Sequence, residues 1–120
     1  MMLIAGAGGF LGTCGRFLIN RWATCAFQGG LPMGTFIVNV IGCFLVGALF
    51  GLMERGNMLS ATQSLLFITG FCGGFTTFST FANEMWMMVS KGDWGTFTLY
   101  LAASILCGIL AVWSGRALFR

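Results

Sequence analysis

The chain has 120 residues, of which 58% are hydrophobic and 8% charged, with no histidine and a formal charge of +3. That leaves too few polar residues to coat a water-soluble globule of this size, so the bilayer is the expected solvent. The six basic residues cluster at predicted span ends and form no stripe, which excludes a nucleic-acid partner; with no histidine, no paired carboxylates and no cysteine beside an evident base, an enzyme is excluded too.

A spanning helix takes about 20 mostly apolar residues, so the length allows four spans with short connections, a single membrane domain over 1–120 without a soluble one. The first span is expected at about 2–27. It begins directly with apolar residues and has no basic n-region, so it is read as a span and not as a removed signal. Arg16 interrupts it, Asn20 and Arg21 mark its far end, and Gln28, Gly29, Gly30 and Pro32 break it. The second span, about 34–53, has Asn39 as its one strongly polar side chain. Glu54, Arg55, Gly56 and Asn57 are expected to close it as a turn.

The third stretch, about 59–89, would extend roughly 46 Å as one helix against a hydrocarbon core of about 30 Å. The run Gly70-Phe71-Cys72-Gly73-Gly74-Phe75-Thr76-Thr77 supplies the interruption, because paired glycines weaken a helix and threonine hydroxyls satisfy the backbone groups released there. Two half-helices are therefore expected to meet near mid-membrane, with the break at 73–76. After a turn containing Lys91 and Asp93, a fourth span runs from about 96 to 118. The expected fold is all-α. Cys14, Cys25, Cys43, Cys72 and Cys107 are widely spaced in apolar surroundings and read as small buried hydrophobes.

With four spans, Arg55, Arg116 and Arg120 share one side of the membrane and Arg21 and Lys91 the other, with Arg16 leaning the same way. This near-tie predicts insertion in both orientations, and hence an antiparallel dimer of identical chains. The glycine pairs Gly8/Gly12 and Gly47/Gly51, four residues apart, suit such a dimer or, equally, the packing of helices within one chain.

The densest polar cluster in any span follows the glycines: Thr76, Thr77, Ser79 and Thr80 among Phe75, Phe78 and Phe81. One reading is a helix stabilised around a kink, its hydroxyls bonded back to the backbone. The other is a path for a small anion. Phe78 and Phe81, three apart, share a face, and ring edges carry partial positive charge that attracts an anion without trapping it; the N-terminus of the second half-helix adds free N–H groups and a positive dipole end. Carbonyls at the end of the first half-helix suit a hard cation. Asn39 is either interhelical glue or an amide donor in a pore. Thr96, Tyr100 and Ser104 recur every four residues and line one face of the fourth span. Glu84 either tunes ion entry at a pore mouth or pairs with Arg16 or Arg21.

Gly8-Gly9-Phe10-Leu11-Gly12 with Arg16, Gly34-Thr35 with Asn39-Val40-Ile41-Gly42, and the third-span motif from Gly70 to Phe81 together resemble the CrcB/Fluc family of fluoride channels. The resemblance covers all four spans and is loosest in the fourth. It implies a dual-topology antiparallel homodimer in the bacterial inner membrane, with two antiparallel pores, a central structural sodium ion, and passive fluoride export that relieves toxicity. Position by position, it implies that backbone carbonyls of Gly73 and Thr76 hold the sodium, and that Phe78 and Phe81 line the pores. Asn39 becomes a pore donor, Ser79 and Thr80 neighbouring polar contacts, Tyr100 and Ser104 part of a polar track, and Glu84, with Arg16, part of an aqueous vestibule.

Two rivals stand beside this reading. A small dual-topology proton-coupled multidrug antiporter needs a carboxylate in its binding chamber, and the first span has none. An accessory subunit of a membrane complex explains the glycines and aromatics but not the hydroxyl cluster.

Overall fold

In hydrocarbon every backbone polar group must be satisfied within the chain, and long apolar runs do this by winding into helices. The computed structural model describes residues 1–27, 29, 31–56 and 59–120, and these form helices and short connections only. Four helical segments are long and apolar enough to cross a membrane. Helix α1 is Met2–Ala26 and α2 is Met33–Gly56. The third span comes in two halves. Its first half, α3 (61–75), begins as an α-helical turn at Ala61–Ser64, widens into a π-helix over Leu65–Cys72 and closes with a last turn at Gly73–Phe75. Its second half, α4, is Ser79–Ser90, and the fourth span, α5, is Trp94–Phe119.

Local chemistry sets the starts. Ser60 Oγ accepts from Gln63 N (3.1 Å) while Gln63 Oε1 accepts from Ser60 N (3.0 Å), a reciprocal cap that fixes the first turn of α3. Asp93 Oδ1 accepts from Thr96 N (3.2 Å) and caps α5; the Thr96 hydroxyl first, and then this backbone bond, hold the exposed Asp93 carboxyl below its ordinary range. Gly92, at φ +75°, makes the turn between α4 and α5 in a conformation that side chains disfavour.

The helices associate as two close pairs. On α1, a Cβ added at Gly8 would run into Leu66 O and one at Gly12 into Phe71 O, while Gly70 and Gly74 on α3 lie against the backbones of Ala5 and Gly9. On the other side of the molecule, Gly47 and Gly51 of α2 lie against the backbones of Val112 and Arg116, and Gly115 of α5 against Phe44. Both glycine pairs that suited a dimer are thus consumed inside one chain, and they carry no argument for a second copy. Small residues allow backbones this close, and dispersion then acts over the whole interface.

Two boundaries differ from the sequence reading. Glu54, Arg55 and Gly56 form the last turn of α2 rather than a loop, and Glu54 Oε1 meets Arg116 Nε at 3.0 Å, tying the ends of α2 and α5. Gln28, Gly30 and Asn57, read as turn residues, lie outside the described residues. The interruption of the third span also comes later than the glycines suggest. Gly70, Gly73 and Gly74 stay helical, and the chain leaves the helix at Thr76, which is extended at φ −86° and ψ 160°. The packing of α3 against α1 explains this, since it holds the glycine-rich stretch in helical form up to Phe75.

Candidate functional site

Just beyond the last contact with α1, Asn39 of α2 takes over the backbone. Its Nδ2 donates to Thr77 O (3.0 Å) and its Oδ1 accepts from Thr77 N (2.9 Å), so one amide replaces two bonds that a continuous helix would have made. This is how the break stays satisfied at membrane depth. Asn39 therefore acts as glue between α2 and the break, and one Nδ2 hydrogen remains beyond the clamp. Thr77 Oγ1 accepts from Thr80 N (3.3 Å) and donates to Thr80 Oγ1 (3.2 Å), capping the first turn of α4.

The break, α2 and α5 enclose an open groove of about 410 Å³. Asn39, Phe78, Phe81 and Ser104 line it, together with Thr76 and Thr77. The two rings lie 6.1 Å apart at 52°, but in different settings: Phe81 is 8% exposed and packs on Tyr100 at 5.0 Å, whereas Phe78 is 76% exposed. Ser104 Oγ is buried and has no hydrogen-bond partner among the described residues. A buried hydroxyl without a partner is costly, and in this groove it is a donor available to a ligand. Ser79 and Thr80 are exposed and lie outside the lining, with the Thr80 hydroxyl occupied by Thr77. Among the described residues no lysine or arginine lines the groove.

Carbonyls at the break divide into two sets. Cys72 O accepts from both Thr76 N (3.0 Å) and Thr76 Oγ1 (2.8 Å), Gly74 O from Arg16 Nε (3.1 Å), and Thr77 O from Asn39. Among the described residues no hydrogen bond falls on the carbonyls of Gly73 or Thr76. These are the two oxygens the resemblance assigns to sodium, and neutral carbonyls suit a hard monovalent cation.

Glu84 does not pair with Arg16 or Arg21. Its Oε2 accepts from Thr35 Oγ1 and its Oε1 from Tyr100 OH, each at 2.9 Å, which joins α2, α4 and α5. Arg16 is committed to Gly74 O, so the structure does not bring the two vestibule residues into contact. Burial beside two hydroxyls on neighbouring helices outcompetes a basic partner on α1. Sequence reasoning missed the roles of Thr35 and Thr77. Thr35, Asn39 and Cys43 stand four apart on α2, and this stripe was the available signal for Thr35; nothing local marks the Thr77 backbone as the partner of Asn39.

Comparison with known proteins identifies the family. The family described as "CrcB-like protein, Camphor Resistance (CrcB)" matches residues 3–116. A protein of Prosthecochloris aestuarii named fluoride-specific ion channel FluC is 42% identical over 119 residues, covering 99% of this chain and 92% of the relative. One of the same name from Caulobacter vibrioides is 41% identical over 120 residues, covering 99% and 94%. Matched over nearly its whole length, the chain belongs to the family of CrcB-like proteins.

Proposed function

We propose that the chain is a fluoride-selective channel, a multi-pass membrane protein and not an enzyme, through which fluoride leaves the cell passively; its relatives are named fluoride-specific ion channels. The observation that carries this reading is the groove at the break. There Ser104 Oγ has no partner of its own among the described residues, Asn39 keeps one N–H beyond its clamp, and Phe78 and Phe81 line the same space, where ring edges would attract an anion.

Fluoride is compact and strongly hydrated, so it enters only where donors replace its water, and it moves on only if no site holds it too tightly. Hydroxyl, amide and ring-edge contacts meet both demands. A lysine or arginine in the groove would bind the anion and hold it. Thr77 and Asn39 act by position, keeping the break open and α4 capped so that Phe78 stands at the groove's mouth.

The working unit in this reading is an antiparallel homodimer. With Arg16 withdrawn to the break, Arg55, Arg116 and Arg120 stand against Arg21 and Lys91, which keeps the orientation bias small. The 76% exposure of Phe78 and the exposed Gly73 suit cover by a second copy. Two copies would bring together the Gly73 and Thr76 carbonyls of each chain, and these four oxygens fit a sodium ion. Bound there, the ion would supply positive charge beside each groove.

Efflux from liposomes containing only this protein tests the reading. Fluoride should leave rapidly while chloride is retained; equal flux of both ions, or proton exchange driven by a cationic drug, would overturn it.

A further inference from the structure

A second groove lies on another flank of α5. Thr96, Leu99, Tyr100 and Ala103 stand at i, i+3, i+4 and i+7 and so form one stripe. They face Pro32 and Phe36 across a groove of about 250 Å³ whose exposed wall is entirely apolar. It shares no residue with the groove at the break, to which α5 contributes Ser104, Ile105 and Val112. Along α5 it runs about 10 Å. At its outer end Pro32 and Thr96 also line a cup of about 160 Å³ with Lys91, Asp93 and Glu84. The neighbouring Trp94 is exposed, as expected of an aromatic at the membrane–water boundary.

The charges in the cup are not equivalent. Both oxygens of Glu84 are held by Thr35 and Tyr100. Asp93 caps Thr96 N through Oδ1, and its carboxylate is exposed. Lys91 is exposed and has no salt-bridge partner among the described residues. One unpaired ammonium and one exposed carboxylate thus sit two residues apart at the top of an apolar slot.

We propose that this slot and cup bind a zwitterionic phospholipid of the ethanolamine type, with an acyl chain along Thr96–Ala103, the phosphate on Lys91 and the headgroup ammonium on Asp93. An anionic headgroup would find Lys91 but meet the Asp93 carboxylate with nothing to offer it. Charge complementarity therefore selects the zwitterion.

Native mass spectrometry of the purified protein in detergent micelles doped with equal amounts of phosphatidylethanolamine and phosphatidylglycerol tests this. Phosphatidylethanolamine should be retained preferentially. Lys91→Gln should lower its retention about fivefold, the effect of one basic residue at a membrane surface. Asp93→Asn keeps the cap on α5 and should erase the preference between the two lipids. Ala103→Trp fills the slot and should abolish retention, whereas Leu106→Trp, on an exposed face elsewhere on α5, should not. Equal retention of both lipids by the parent, or unchanged retention in Lys91→Gln and Asp93→Asn, overturns the proposal. Those two variants lie at an exposed turn and decide the matter even if Ala103→Trp fails to fold.

Discussion

The two halves of the third span are held in opposite ways. Helix α3 lies against α1 through glycines, with Gly8, Gly12, Gly70 and Gly74 in backbone contact, so close shape holds it and the bond from Arg16 to Gly74 O is a polar link between the two. Helix α4 is held by polar side chains: Asn39 on Thr77, Thr77 on Thr80, and Thr35 with Tyr100 on Glu84. A contact made of backbones tolerates no added atoms, whereas a contact made of hydrogen bonds tolerates changes of shape but not of donor and acceptor. The groove opens on the second kind of contact, where donors are already needed to keep the fold intact and one more can be offered to an ion.

The largest effect should come from breaking the shape-held half. Gly12→Leu drives a side chain into the backbone at Phe71 and Phe75, which cannot move aside. The cost should reach or exceed about 3 kcal/mol, seen as loss of monodisperse protein on size-exclusion chromatography. A well-folded Gly12→Leu channel would show that the α1–α3 contact is looser than described.

The donor-held half should fail differently. Asn39→Asp keeps the acceptor for Thr77 N but leaves Thr77 O without its donor, about 1–3 kcal/mol for a buried group, and places an acceptor that repels the anion at the groove. We expect an assembled protein with fluoride flux abolished in the liposome assay. Normal flux would remove Asn39 from the conduction path.

Phe78→Ile and Phe81→Ile sharpen the contrast within α4. Both lose a positive ring edge and both should slow flux, but only Phe81 is buried against Tyr100. Thermal unfolding should show about 1–2 kcal/mol lost for Phe81→Ile and little change for Phe78→Ile. If both conduct like the parent, the rings are packing residues.

The smallest effects concern the break itself. If the proposed sodium sits on the Gly73 and Thr76 carbonyls, its exhaustive replacement by a large organic cation should lower both flux and thermal stability. Thr76→Ser keeps the hydroxyl bond to Cys72 O and gives up only the methyl group against Gly42, so it should change stability by about 1 kcal/mol or less. Full activity in a preparation free of sodium would refute the structural ion while leaving conduction untouched.

Composition and span length determined that this chain is all-α with four crossings, because hydrocarbon leaves a long apolar run no other way to satisfy its backbone. The motif from Gly70 to Phe81 located the region of the break, whereas the period-four face of α5 joined Tyr100 and Ser104, of which the structure puts only Ser104 in the lining of the groove there. Three matters were decided only in three dimensions. The glycines had two possible uses, and only the approach of α1 to α3 shows that they pack one chain and keep 70–75 helical, moving the break to Thr76. Asn39 had two possible roles, and its amide reaches the Thr77 backbone 38 residues away. Glu84 had basic residues to choose from, yet Thr35 and Tyr100 hold it. Periodicity tells which residues share a face, since that follows from the geometry of one helix. Which face meets which neighbour follows from the packing of all the helices at once, and a one-dimensional pattern does not contain it.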